Sequence, residues 1–263
     1  MRLNTLEFSA DKQHPLVVLH GLFGAQDNWR SQALLWAQNR HVITMDLRNH
    51  GMSAHNEVMD YASMCEDVLE TLAVLKLDKV DLLGHSMGGK VAMQVALNAP
   101  HKVNRLIIAD IAPVAYEPRH KSILEGLNRI DLSALTSRKH ALDILSQYEA
   151  DIRVCQFLLK SLYKTKADQF ALRYNLVAIE QNYHHISAAP KAPILETADS
   201  GRYQGPTLVL KGEHSAYILA AHKAAFDQFF PNTQLKIMTH CGHWLHAEKP
   251  ELFCRLVSRF LAQ

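Results

Sequence analysis

Several features are missing from this chain, and each absence narrows its class. No apolar run approaches the roughly 20 residues that a bilayer-spanning helix needs, and the opening Met1-Arg2-Leu3-Asn4-Thr5-Leu6-Glu7 has no signal-like apolar core. Cysteine is sparse: Cys65, Cys155, Cys241 and Cys254 show no paired spacing, which argues against a disulfide framework. An excess of charge of one sign is also missing. The formal balance is +2 over 263 residues, too close to neutral to imply a nucleic-acid partner. There is no internal repeat and no low-complexity tract. These absences lead to the expectation of a soluble, cytoplasmic protein with free thiols, no membrane contact and no nucleic-acid partner. The sequence does not set an oligomeric state.

What the chain does have is apolar material, 48% of its residues, enough to bury a full core. Histidine is also abundant, at 16 residues, and most of these have no partner at a diagnostic spacing. His14, His41, His55, His101, His120, His140 and His222 read as surface or loop residues.

Strands and helices alternate through the first third. Leu16-Val17-Val18-Leu19-His20 is a continuous apolar run, as in a strand covered on both faces. The stretch from Asn28 to Gln38 has helical spacing, His41 to Asp46 is the next strand, and Tyr61 to Leu75 is an amphipathic helix. Lys79 to Leu83, Lys90 to Leu97 and Arg105 to Asp110 continue the rhythm. It stops after Asp110. From Ile111 to about Tyr203 the pattern is helical, with helices expected at His120–Ile130, Ser137–Tyr148, Ile152–Tyr163 and Asn175–His185 and no convincing buried strand. Asp131 and Asp151 suit a helix cap or a turn. The rhythm resumes with a strand at Pro206–Lys211, a helix at Tyr217–Phe230, a strand at Gln234–Met238 and a closing helix at Pro250–Leu261. The expected architecture is α/β: a doubly wound, mostly parallel sheet, with residues 1–110 and 204–263 as the core and 111–203 as an inserted helical lid.

Gly84-His85-Ser86-Met87-Gly88 stands between an apolar strand and a helix, which is the setting of a nucleophile elbow. The turn there is so sharp that a Cβ at Gly84 or Gly88 would strike a neighbouring element. It pushes the Ser86 hydroxyl into the open at a helix N-terminus, where partial positive charge favours developing negative charge. A serine hydroxyl is a poor nucleophile at neutral pH, so it needs a base, and the base needs an orienting acid. In this arrangement the histidine comes last, after the final strand. His243 is the candidate, with His240 and His246 as rivals. The spacing His240-x-x-His243-x-x-His246 beside Cys241 also resembles metal-ligand spacing. No matching carboxylate cluster stands nearby, so no metal is expected.

Two acids are open. Asp110 ends the strand after the elbow helix. Glu213 lies in the turn Gly212-Glu213-His214-Ser215 after the strand that follows the lid, where many relatives of this fold carry an aspartate at the position held here by Ser215. The oxyanion donors are expected to be the backbone N–H groups of Met87 and of Leu22, in the loop His20-Gly21-Leu22-Phe23-Gly24. The turn Asp46-Leu47-Arg48-Asn49-His50-Gly51-Met52-Ser53 reads as mainly structural, with Arg48 and His50 as candidates for substrate contact. Ile123, Leu127, Phe157, Leu158, Phe170 and Tyr174 line an acyl pocket or pack as lid core.

His-Gly-x-x-Gly at 20–24, Asp-x-Arg-x-x-Gly-x-Ser at 46–53, Gly-His-Ser-Met-Gly at 84–88 and Gly-His at 242–243 together resemble the α/β-hydrolase superfamily. Asp-Leu-Arg-Asn-His-Gly, Gly-His-Ser-Met-Gly-Gly-Lys, Asp110 continuing into Ile-Ala-Pro, and Arg173-Tyr174-Asn175-Leu176 are similar to the YbfF-type bacterial acyl esterases. The resemblance implies hydrolysis of small carboxylic esters, extending to acyl-coenzyme A thioesters, through an acyl-enzyme. It points to Ser86, Asp110 and His243, with Leu22 and Met87 at the oxyanion hole, and to no cofactor. The same groups serve C–C bond hydrolases and lyases, and a silent binding protein on this fold is the remaining alternative. Such a protein usually loses the serine or the histidine, and this chain keeps both.

Overall fold

A computed structural model describes residues 1–191 and 201–263. Its centre is a seven-stranded sheet in the order β1-β3-β2-β4-β5-β8-β9, built from β1 (Thr5–Phe8), β2 (Leu16–Leu19), β3 (Val42–Met45), β4 (Val80–His85), β5 (Val103–Ala109), β8 (Thr207–Gly212) and β9 (Thr233–Met238). Only β1 runs antiparallel to its neighbour; every other pairing is parallel. The doubly wound α/β expectation holds.

Side-chain alternation on the strands explains why both faces are covered. Val17, Leu19, Leu82, Leu106 and Ile108 point to the side of α2 (Tyr61–Val74) and α3 (Met87–Asn98). Their sequence neighbours Leu16, Val18, Leu83, Ile107 and Ala109 point to α1 (Arg30–Trp36) and α11 (Pro250–Leu261). Because successive residues face opposite sides, strands apolar on every position demand helices on both. Fully burying each such side chain contributes about 2 kcal/mol. Helix α3 is the most enclosed, with every residue from Met87 to Leu97 buried. No helix among the described residues is long and apolar enough to cross a membrane.

Between β5 and β8 the described chain forms α4 (Lys121–Asn128), α5 (Arg138–Leu145), α6 (Ile152–Leu158), α7 (Leu176–Gln181) and α8 (Tyr183–Ser187). Ser137, Asp151 and Asn175 cap α5, α6 and α7, each accepting a first-turn N–H. Asp151 is therefore a cap as expected, whereas Asp131 forms a turn with Ser133 and begins no helix. Three readings need correction. The helix expected at Ile152–Tyr163 ends at Leu158, and the chain then pairs as an antiparallel hairpin of β6 (Leu162–Lys164) and β7 (Phe170–Leu172), so the insertion is not wholly helical. The Asn175–His185 helix is two helices broken at Asn182, whose side chain serves the core, accepting from Met59 N–H and donating to the Glu57 carbonyl. Tyr203, assigned to the insertion, is buried in the core and donates its N–H to Phe229, in α9 (Lys223–Phe229). Residues 192–200 of the expected lid lie outside the described residues. The closing helices, α10 (Leu245–Glu248) and α11, follow β9.

Candidate active site

Strand β4 runs straight into α3 through Ser86, whose backbone sits at φ 53°, ψ −120°. That conformation is sparsely populated for a residue with a side chain and costs on the order of 1–3 kcal/mol, so the surroundings must impose it. The two glycines explain how. A Cβ on Gly84 would lie 2.1 Å from the Gly88 carbonyl oxygen, and one on Gly88 would lie 2.4 Å from that of His20. No side chain fits at either position.

The polypeptide's far end meets this turn. His243, in the loop after β9, has Nε2 3.0 Å from Ser86 Oγ and donates from Nδ1 to Asp110 Oδ2 at 2.7 Å. Asp110 is fully buried at the end of β5. Its other oxygen accepts the Gly212 N–H at 2.9 Å, and Oδ2 also accepts the Ser215 hydroxyl. Two rings pack against the imidazole: the Tyr217 ring stacks at 4.0 Å and 24°, and the His85 ring lies 4.7 Å away, tilted by 40°. His85 also donates from Nε2 to the His243 carbonyl at 2.9 Å, tying the loop to the elbow strand. Burial pushes the His85 pKa well below the usual histidine value, so the ring is neutral.

The loop after β2 lies against the same serine. Phe23 donates its N–H to His50 Nε2 at 3.1 Å, and Gly24 donates to the Gly21 carbonyl. The Leu22 N–H is left without an internal acceptor among the described residues. Met87 is the first residue of α3, so its N–H has no intrahelical partner either. His20 repeats the device of His50, accepting the Leu47 N–H at Nε2 and donating from Nδ1 to a carbonyl. Both rings are buried and their pKa values lie low, His50 at about 3, with desolvation as the first cause. Two neutral imidazoles therefore shape the loop.

The alpha/beta hydrolase fold model matches residues 14–250. The chain belongs to the α/β-hydrolase family. It is 39% identical over 247 residues to a putative esterase/lipase of Haemophilus influenzae, covering 94% of this chain and 82% of that one. It is 34% identical to esterase YbfF of Escherichia coli, covering 99% of both. Among solved structures, a marine microorganism esterase superposes with a TM-score of 0.94 at 34% identity, covering 99% of both chains.

Other candidates in this α/β hydrolase fall elsewhere. Glu213 does not reach His243; it is partly exposed and accepts the His240 N–H at 2.7 Å, a bond that holds its carboxyl below the usual range. His246 is buried, stacked on Trp29 at 4.2 Å. His240 is exposed and, among the described residues, gathers only with Glu213 and His214 at metal-ligand spacing, so the His240, His243 and His246 triplet forms no common site. Arg48 is buried away from the serine, donating to both oxygens of Asp67 at 2.6 and 2.8 Å. Gly212 permits the loop approach: a Cβ there would lie 2.0 Å from the Gly242 carbonyl oxygen.

No local pattern marks Ser215, Tyr217 or His85 as partners of the histidine and its acid. His120, expected as a surface or loop residue, instead lies at the site. It flanks Ser86 in both adjoining cavities, and burial lowers its pKa to about 4. Its ring Nδ1 contacts the Tyr183 hydroxyl at 2.5 Å. Aromatic spacing marks none of these, because each contact joins segments far apart in the chain. Of the apolar insertion residues, Ile123, Phe157 and Leu158 line the cavity beside His243, whereas Leu127 is core.

Proposed function

We propose that this protein is a serine hydrolase of carboxylic esters that works through an acyl-enzyme, with Ser86 as nucleophile, His243 as general base and acid, and Asp110 as the orienting carboxylate. The reading rests on one observation above the others: the continuous hydrogen-bond path from Ser86 through His243 to Asp110, at 3.0 and 2.7 Å. On attack, the serine proton passes to Nε2 as Oγ bonds to the ester carbon. The proton then goes to the departing alcohol oxygen. A water deprotonated by the same nitrogen releases the acid and returns the proton to Ser86. Asp110 fixes Nδ1 as the protonated nitrogen and stabilises the imidazolium. The Leu22 and Met87 N–H groups receive the oxyanion, and losing one such donor typically raises the barrier by ~3 kcal/mol.

In this reading residues 111–191 act as a lid over the strand ends, and the partners are small acyl esters or thioesters. Four free, buried cysteines fit a reducing compartment, consistent with a cytoplasmic setting. Activated serine chemistry requires no cofactor.

The test is labelling by a fluorophosphonate probe together with hydrolysis of 4-nitrophenyl esters and acyl-coenzyme A thioesters. The expected result is a single adduct on Ser86, lost in Ser86→Ala, and ester turnover that disappears with it. Turnover that survives Ser86→Ala would remove the acyl-enzyme.

A further inference from the structure

Two cavities meet at Ser86, and they differ in which reacting groups they contain. One is bordered by Leu22 and Met87 and runs to Tyr61, Lys90 and Tyr116 without touching His243. The other, larger one shares the Leu22 border, holds His243 and is walled by Phe23, Trp29, Ile123, Phe157 and Trp244. The tetrahedral intermediate carries four groups on one carbon: Ser86 Oγ, the oxyanion, the leaving oxygen and the acyl chain. The leaving oxygen must take its proton from His243 Nε2 as its bond to carbon breaks, so its substituent extends into the cavity that contains that ring. The acyl chain then has the remaining direction, past Met87, the oxyanion donor that borders the first cavity and not the second.

We infer that the smaller cavity is the acyl arm, that Lys90 closes it and confines the enzyme to short acyl chains, and that the larger cavity accepts bulky apolar alcohols. This rests on the serine-hydrolase reading above. Lys90 stands one helical turn after Ser86, about 6 Å along the α3 axis, and side chains on a helix lean towards its N-terminus. Its ammonium is buried, donating to the carbonyls of Ser187 and Ala188 at 3.1 and 2.5 Å and lying 4.6 Å from the centre of the Tyr116 ring. Among the described residues no carboxylate pairs with it. Burial lowers its pKa to about 7. An acyl chain of a few carbons stops short of this group. A longer alkyl chain would abut this ammonium, which its two carbonyl bonds pin in place, and an apolar surface offers it no favourable contact. The other arm holds no lysine or arginine among its described lining; besides Asn28, Ser86 and its histidines, its walls are aromatic and aliphatic.

The experiment uses two ester series on the full-length enzyme. In 4-nitrophenyl esters from acetate to decanoate, kcat/KM is expected to fall about tenfold or more between butanoate and octanoate. In acetates of methyl, butyl, benzyl and naphthyl alcohols it is expected to hold or rise. Lys90→Met removes the charge and both carbonyl bonds, and is expected to restore octanoate relative to butanoate by about tenfold. Should that variant fail to fold, Phe157→Ala, on the opposite arm, is expected to alter the alcohol series and spare the acyl series. Octanoate turned over by the wild type as fast as butanoate, or a Phe157→Ala effect confined to the acyl series, overturns the assignment. No ester turned over in either series, with no adduct on Ser86, instead removes the serine-hydrolase reading, and the arms with it.

Discussion

The Ser215 hydroxyl and the His243 Nδ1–H donate to the same oxygen of Asp110. Ser215 occupies the turn position at which many α/β hydrolases carry their acid, while Asp110 reaches the imidazole from β5. The two positions are therefore close enough to exchange roles. Asp110→Asn is expected to lower kcat by about 10⁴, because an amide no longer holds the imidazole in the productive tautomer. The double variant Asp110→Ser with Ser215→Asp is expected to recover at least roughly tenfold of what Asp110→Ser alone loses. Equal activity of the single and double variants would show that the turn cannot supply the acid. The readout is kcat on one 4-nitrophenyl ester.

Glu213 offers the contrasting case. Its carboxylate receives the His240 N–H and points away from the imidazole. Glu213→Gln keeps an acceptor oxygen there, so kcat is expected to stay within about threefold of wild type, far from the loss set by removing a triad acid. A loss of two orders of magnitude or more in that variant would transfer the acid role to Glu213.

Arg48 and Asp67 form a buried bidentate pair, and Arg48 also donates to the carbonyls of Val58 and Ser63. Arg48→Met leaves the Asp67 carboxylate without its guanidinium partner, and breaking one side of a buried pair costs about 3–5 kcal/mol. Urea unfolding is expected to show that loss, while KM of the folded fraction stays within about twofold of wild type, since the side chain lies outside both cavities. A raised KM at unchanged stability would restore Arg48 as a substrate ligand.

The parts of this protein legible in its sequence are those where local geometry admits few residues. The elbow is one: Gly84 and Gly88 each face backbone at distances no side chain tolerates, so the spacing of glycines around Ser86 carries the turn in the sequence itself. The strand β2 is another, because burial on both faces leaves an unbroken apolar run. Legibility ends where a contact depends on distant chain. Ser215 and Asp110 are 105 residues apart, and nothing local to either reports the other. The β6–β7 hairpin has strands of three residues, too short for a period to register. Asn182 interrupts a helical pattern for the sake of Glu57 and Met59, which belong to another segment. Asp110 and Glu213 are indistinguishable in the sequence for the same reason: each sits at a strand end, and only the approach of the His243 loop separates them.

Acid lability follows from the buried imidazoles. The pKa values of His50 and His246 fall to about 3, and that of His120 to about 4, with desolvation as the first cause in each. Those of His20 and His85 are lowered for the same first reason. A group whose folded pKa lies below its unfolded value near 6.5 leaves the unfolded state holding the extra proton between the two. Stability is then full above that unfolded value and is lost as pH falls towards the folded one. His50, His120 and His246 each cost about 1.4 kcal/mol by pH 5.5 and continue to cost more below it. Together these three approach the lower end of the roughly 5–15 kcal/mol stability typical of a domain, and His20 and His85 act in the same direction. The urea midpoint is expected to drop steeply from pH 7 to 5.5. His246 isolates one contribution. Its Nδ1 has no partner among the described residues, and its ring stacks on Trp29 at 19°, an arrangement phenylalanine can keep. His246→Phe is expected to leave stability at pH 7.5 within about 1 kcal/mol of wild type. It is also expected to reduce the pH dependence between pH 6 and 4 by one proton's worth, read from urea unfolding at a series of pH values. An unchanged slope would mean that His246 protonates in the folded protein as readily as in the unfolded chain, so its burial would play no part in the acid transition.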